Sequence, residues 1–352
     1  MRLMTTTAII AMLALSAVEA AAGTPPNSEL SASSATLKET LLPTDVPQVV
    51  ERAAQLLETR FVFPEIGRRY AQGLRANLKA GAYDAVSAAD LPRRLTTELQ
   101  AIAPDTHLHV FAEVTGLEAT PASANAAGPR RGRRPPPIAE AKWLEPGVAY
   151  ISFRVFSGTP EEVAAVRAFM EEHLDAKTLI IDAREHHGGE VAEMDVILPY
   201  LFARRTELVT MDVSKAEAER SPEQEPSMHP AAGPPGISRV VHVVEPHPTE
   251  HRLFSAQVFY LTSHNTVSAG EHLALALKRT KRAVIVGEKT AGANHFGGPE
   301  PVGMGLMLWL PVGRTLDPDT GKDWEGVGIQ PDVAVHANQA LEVALRLSRD
   351  EK

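Results

Sequence analysis

The sequence predicts an α/β protein in which a mostly parallel, covered sheet follows a small helical module. Three observations carry that expectation. Between Pro43 and Ala103 the apolar residues recur at i, i+3 and i+4, the spacing of amphipathic helices. From Val148 onward, short and fully apolar segments such as Thr178–Ile181 (TLII) and Ala283–Val286 (AVIV) read as strands covered on both faces. Helical stretches alternate with them, which is how a chain builds parallel neighbours.

Bulk composition narrows the chemistry. The 352 residues are 44% hydrophobic and 22% charged, an ordinary globular balance with material for more than one packed region. Lys and Arg number 35 against 44 Asp and Glu, a net charge of −9, which argues against nonspecific nucleic-acid binding. With no cysteine, disulfides, thiolate metal sites and a Cys nucleophile are excluded. Thirteen histidines remain to work with carboxylates and hydroxyls.

Residues 1–22 (MRLMTTTAIIAMLALSAVEAAA) place a basic Arg2 before an apolar run, Ala8–Val18, and then small residues. That is the pattern of an export signal peptide, and the run is too short to span a membrane. The expected location is therefore periplasmic or secreted, with no membrane span. Residues 23–42, rich in Ser, Thr, Pro and Ala, form a flexible segment. The helical module covers 43–110: Val46, Val49, Val50, Ala53, Leu56 and Leu57 mark one helix face, Glu65–Ala80 is a second helix, and Asp90-Leu-Pro92 opens a third. Residues 111–141 are a linker loop containing GPRRGRRPPP, read as a solvated basic stretch rather than a docking patch.

The α/β core is assigned to 142–346. Val148–Phe153 is a strand, Pro160–Leu174 a helix, Thr178–Ile181 a strand and Val191–Phe202 a helix. Gln257–Thr262 is a strand, Ser268–Lys278 a helix and Ala283–Val286 a strand. Met307–Pro311 and Val327–Val335 add antiparallel or edge strands. Lys215–Gly236, polar and proline-rich, reads as a mobile surface loop or lid.

Three segments carry candidate chemistry. In QVFYLTSHNTVSAGEHLALAL a buried strand runs into a polar turn and then a helix beginning at Ser268. A serine hydroxyl becomes a nucleophile only with a base and a positive potential for the oxyanion, and the free N–H groups of a helix start supply the potential. Ser268 could equally be a plain N-cap. In LIIDAREHHGG, Gly188 and Gly189 at a strand's C-terminal end let backbone N–H groups approach a ligand, although an ordinary αβ turn also uses paired glycines. In PDTHLHV, His107 and His109 are two apart and share one face if the segment is a strand, either as a base or as edge-strand residues. A zinc site from His107, His109, His186 and His187 is a remote reading, because neither HExxH nor a similar spacing occurs.

Together these pieces resemble the S41 peptidase family, which includes the tail-specific proteases, the tricorn core protease and the interphotoreceptor retinoid-binding protein repeats. The matching residues are Asp105-Thr-His107-Leu-His-Val110, Asp182-Ala-Arg184-Glu-His-His-Gly188-Gly189, Thr266-Val-Ser268-Ala-Gly-Glu271, Val286-Gly-Glu288-Lys-Thr290-Ala-Gly292 and Trp324-Glu325-Gly-Val-Gly328-Ile-Gln-Pro331-Asp332. The likeness runs from about Pro43 to the C-terminus, and its flavour is that of the retinoid-binding-protein-like subgroup. It implies a ClpP/crotonase-like core and a serine-type peptidase that acylates Ser268, with no cofactor and no metal.

The resemblance also implies residue roles. Ser268 falls on the nucleophile, and Gly188 or Gly189 with the Ala269 amide on the oxyanion hole. Tail-specific proteases use a lysine base after the final glycine of the V-G-E-x-T-x-G motif, but Ala293 stands in that slot here. The tricorn-like branch uses an early histidine and a late glutamate, which map to His107 as base and Glu325 as its orienting partner. His295 is the alternative base. His186 replaces an asparagine usual in the family, leaving the local turn hydrogen bonding open. Only about 30 residues separate Val110 from Lys142, too few for a PDZ domain, so a short peptide or a small ester or amide is the expected substrate. The other reading is a non-catalytic S41-like protein that binds a hydrophobic or lipid-like ligand. Oligomeric state is left open.

Overall fold

The computed structural model describes residues 45–113, 135–222 and 225–350. The signal peptide, the 23–42 segment and residues 114–134 of the expected linker lie outside them. In chain order the helical module gives α1 (Val46–Arg60), α2 (Pro64–Lys79) and α3 (Leu91–Ile102), followed by strand β1 (His109–Ala112). Next come β2 (Ile138–Glu145), β3 (Val148–Phe153), α4 (Pro160–Glu172), β4 (Thr178–Asp182) and α5 (Ala192–Ile197). Then follow β5 (Thr206–Ser214), α6 (Lys215–Arg220), β6 (Met228–Ala231), β7 (Ile237–Val244) and β8 (Gln257–Thr262). The chain continues with α7 (Ala269–Arg279), β9 (Val284–Gly287), β10 (Phe296–Gly303), β11 (Leu306–Leu316), β12 (Val333–Ala334) and α8 (Ala340–Asp350).

The chain divides into two compact units. Among the described residues, the first comprises the helical module with residues 296–312, and the second comprises 135–222, 225–295 and 313–350. In the first unit each helix has a proline in its first turn, where the missing N–H is no loss. Val49, Val50, Leu57, Leu74, Leu95 and Leu99 are fully buried, and Leu308 and Leu310 of β11 complete the same core. Strand β1 pairs antiparallel with Leu306–Trp309. The sequence placed 296–312 in the 142–346 core; this segment packs with the helices because its apolar side chains fill their face.

The second unit contains a six-stranded sheet in the order β12-β9-β8-β4-β3-β2. All its pairings are parallel except β2 with β3. Strands β3 and β4 are buried along their whole length and β8 at every residue but Gln257, because α4 and α7 contribute to the cluster on one face and α8 to that on the other. The parallel expectation holds for this sheet alone. Strands β5, β6 and β7 pair antiparallel, as does Gly313–Leu316 of β11 with β5. The connection from β5 to β7, the short helix α6 and the short strand β6, returns the chain antiparallel, and the protein is a mixed α/β structure. The segment read as a loop or lid holds two elements: α6, opened by a hydrogen bond from the Glu217 N–H to the Ser214 hydroxyl, and β6. Pro230 sits in β6, which is an edge strand and tolerates a missing donor. The expected Val191–Phe202 helix is α5 followed by a 3₁₀ turn at Leu198–Tyr200, where Pro199 breaks the α-helical ladder.

Candidate active site

The site is built where β4 and β8, parallel neighbours, reach their C-terminal ends. After β8 the chain turns through Ser263–Val267 and enters α7. The turn is pinned from the β4 side: Thr266 Oγ1 donates to the Ala183 carbonyl at 2.7 Å, and the Val267 N–H donates to the His186 carbonyl at 2.9 Å. Ser268 follows at φ 54° and ψ −114°, a left-handed conformation that costs a non-glycine residue about 1–3 kcal/mol. Its residue pattern is a capping box. Glu271 accepts the Ser268 N–H at 2.9 Å, and the serine oxygen faces the Glu271 N–H in the reciprocal half of the box. The positive φ separates Ser268 from an ordinary N-cap, whose backbone is extended.

Glu271 is the hub of the turn. Fully buried, it also accepts from Thr290 Oγ1 (2.6 Å), the Gly292 N–H (2.7 Å) and the Ala293 N–H (2.9 Å). Burial pushes its carboxyl up, while the Thr290 hydroxyl and the three amides pull the other way. The next two amides, of Asn294 and His295, donate to Glu325 Oε2 at 2.7 and 3.1 Å. Four consecutive N–H groups are thus held by two carboxylates at the place where tail-specific relatives are expected to carry a lysine.

Gly188 and Gly189 lie in the turn after β4, at φ 94° and 118°. A Cβ on Gly189 would lie 1.9 Å from the Phe156 carbonyl oxygen, so no larger residue fits. The two amides differ in availability. That of Gly188 is taken by His186 Nδ1 at 3.0 Å. The N–H groups of Gly189 and Ala269 have no hydrogen-bond partner among the described residues. The turn itself is anchored by the Asp182–Arg184 ion pair, with Tyr150 Oη donating to Asp182 at 2.7 Å and Arg184 reaching the Ala337 carbonyl at 2.6 Å.

His295 is buried, with Nδ1 3.9 Å from Glu325 and Nε2 3.9 Å from Asp323. That imidazole, aided by Arg314, holds the Asp323 carboxyl below its usual range. His107 belongs to the first unit. It lies in the turn between α3 and β1, where Asp105 Oδ1 accepts its N–H at 2.9 Å, and its ring is roughly parallel to Trp309 with centroids 6.4 Å apart. His109 lies against the same indole at 6.3 Å and uses Nδ1–H on the His107 carbonyl; only His109 is on the strand, so the two-apart spacing does not act here as a strand-face pairing. Of the remaining candidate zinc ligands, His187 is exposed, whereas His186 is fully buried with Nδ1 already committed.

One cluster was invisible in the sequence. His272 Nε2 meets His242 Nδ1 at 2.9 Å, His242 Nε2 meets Asp195 Oδ1 at 2.7 Å, and the Ser227 hydroxyl donates to Asp195 at 2.6 Å. Burial holds the His272 ring well below the usual imidazole range. Its members come from three separate elements and a turn and share no spacing. Glu271 had a signal, since S-x-x-E at a helix start is the capping-box pattern.

The sequence pattern that defines peptidase family S41 matches residues 147–335, and the N-terminal domain described for peptidase S41 in eukaryotic IRBP matches residues 36–140. The chain belongs to peptidase family S41. A curated relative is the chloroplastic carboxyl-terminal-processing peptidase 3 of Arabidopsis thaliana, 25% identical over 185 residues. That alignment takes in 52% of this chain and only 31% of the relative. Among solved structures, a protein of Parabacteroides merdae described as a peptidase superposes with a TM-score of 0.58 at 15% identity, covering 88% of this chain and 98% of that one. A lipoprotein of Streptococcus agalactiae gives 0.51 at 14% identity, covering 89% and 99%. Both likenesses concern the fold. Within the S41 match lie Ser268, the paired glycines, His295 and Glu325; His107 lies in the N-terminal match. Among the described residues, no helix is long and apolar enough to cross a membrane.

Proposed function

We propose that this S41 member is an exported serine-type peptidase working through an acyl-enzyme on Ser268. The observation that carries the reading is the strained Ser268, placed at the N-cap of α7 just after the turn that leaves a buried parallel strand. Attack on a peptide carbonyl puts negative charge on the oxygen. The unpartnered amides of Gly189 and Ala269 are the donors proposed to stabilise it. Gly188 is the weaker candidate, because its N–H is engaged by His186. His107 is the proposed base, taking the serine proton and returning it to the leaving amine, with Glu325 setting its tautomer. His295 is the alternative, supported by its position beside Glu325 and Asp323. The parallel sheet is proposed as a ClpP/crotonase-like core, and the periplasm or exterior as the location. The substrate class is a short peptide or a small ester or amide.

The test is hydrolysis of a chromogenic peptide by three variants across pH 5–9. Ser268→Ala abolishes turnover. If His107 is the base, His107→Ala lowers kcat by about 10³-fold and removes the acidic limb of the profile, whereas His295→Ala keeps that limb. The reverse pattern transfers the role to His295. Full turnover by Ser268→Ala rejects the mechanism.

A further inference from the structure

We propose that His186 is a positioning residue that fastens the oxyanion strap to the nucleophile turn through a neutral imidazole of fixed tautomer; the proposal rests on Ser268 being the nucleophile. His186 has no exposed surface and touches three pieces of the site. Its Nδ1 takes the Gly188 N–H at 3.0 Å. Its carbonyl takes the N–H of Val267, the residue before the serine, at 2.9 Å. Its ring lies over the first turn of α7, where a Cβ added to Gly270 would come 3.0 Å from Nδ1 and 3.2 Å from Cγ. One side chain therefore occupies the space that keeps Gly270 a glycine and directs the amide next to Gly189.

The bonding pattern fixes the proton. A backbone N–H donates to Nδ1, so Nδ1 carries the lone pair and the ring hydrogen is on Nε2. Nε2 is fully buried and has no hydrogen-bond partner among the described residues. It sits in a ring 4.2 Å from that of Phe156, at 73°. Folded proteins rarely keep a buried donor unpaired, so its retention calls for a compensating use of the other nitrogen.

Phe156 shows what that use is. Its N–H donates to the Gly188 carbonyl at 2.9 Å, and its carbonyl accepts from Glu190 at 2.8 Å. The strap Gly188–Glu190 is thus laid along Phe156 on one side and held by His186 on the other. With its only lone pair spent, His186 can act neither as a general base nor as a metal ligand. What it does is orient the strap, leaving the Gly189 N–H as the free amide.

The experiment follows the rate of fluorophosphonate inactivation, and kcat and KM for p-nitrophenyl acetate, in wild type, His186→Leu and His186→Asn. Leucine fills space without an acceptor, whereas asparagine restores the acceptor without the ring. The Leu variant is expected to lose about 10- to 100-fold in inactivation rate and kcat with KM within about twofold, and the Asn variant to recover most of that loss. Nitrogen-15 spectra of wild type provide a readout that does not depend on the variants folding. They should show His186 with Nδ1 unprotonated and no titration between pH 5 and 8. A folded Leu variant reacting like wild type overturns the proposal, as does an Asn variant no better than Leu, or a protonated Nδ1. If wild type takes no label, or Ser268→Ala takes it equally, the nucleophile reading is what fails, and the tautomer of His186 still stands or falls by its spectrum.

Discussion

The carboxyl ends of β4 and β8 lie side by side, and the chain leaves them by two different means. After β4 the left-handed backbone is given to glycines, at φ 94° and 118°. After β8 it is given to a serine at φ 54°, held there by a buried carboxylate that takes its N–H. Glycine reaches such angles freely, and serine does not. A protein that needed only a turn after β8 would gain stability from glycine at 268. Keeping serine indicates that the hydroxyl is worth the strain, whereas the glycines after β4 are needed for room and for bare amides.

The sharpest way to break this contrast is Gly189→Ala. The new Cβ would meet the Phe156 carbonyl, a backbone atom that cannot move aside, in a conformation alanine avoids. We expect a loss of about 3–5 kcal/mol, read as a fall in the urea midpoint. A variant as stable as wild type would mean that the close approach along Phe156 is mistaken.

The next effect tests the other junction. Every partner of Glu271 is a donor, so Glu271→Gln leaves its amide facing a backbone N–H of Gly292, Ala293 or Ser268. The expected cost is about 2–3 kcal/mol, accompanied by slower labelling of Ser268. An unchanged variant would show that the clamp is not what holds the serine.

A third effect concerns pH. Burial, assisted by the neighbouring His187, lowers the His186 ring from 6.5 to about 3. The unfolded chain therefore binds a proton between those values that the folded chain refuses, so stability rises with pH there and falls as the solution is acidified below about 6.5. His186→Asn should flatten that dependence by about 1.4 kcal/mol per pH unit between pH 4 and 6. Parallel slopes would place the acid sensitivity elsewhere, and His272 is another buried imidazole shifted in this direction.

The smallest effect is the most diagnostic of strain. Ser268→Gly relieves the left-handed serine and is expected to gain about 0.5–1 kcal/mol while abolishing activity. A destabilised glycine variant would contradict the view that Ser268 is held against its preference.

The elements were legible where one periodicity dominated. Helices α1, α2 and α3 follow from i, i+3/i+4 spacing with prolines at their starts, and β4 and β8 from short apolar runs. The antiparallel pairing of β5, β6 and β7 was not, because Lys215–Gly236 is polar enough to read as a loop. Its short strand is defined by register with β7 rather than by its own composition. In the site, glycine pairs and an S-x-x-E pattern mark backbone geometry and can be read locally. The roles of His186 and His272 cannot: apart from the local Gly188 N–H, the partners of His186 at Phe156 and Val267 lie 30 and 81 residues away, and His272 meets His242 30 residues away.

The central claim is that Ser268 is the acylated group. Its most direct test is mass-spectrometric mapping of the intact protein after reaction with a fluorophosphonate. The account predicts a single stoichiometric adduct on the peptide containing Ser268, lost in Ser268→Ala and blocked by prior unfolding. An adduct on another residue, or none in a protein that hydrolyses peptides, would contradict it.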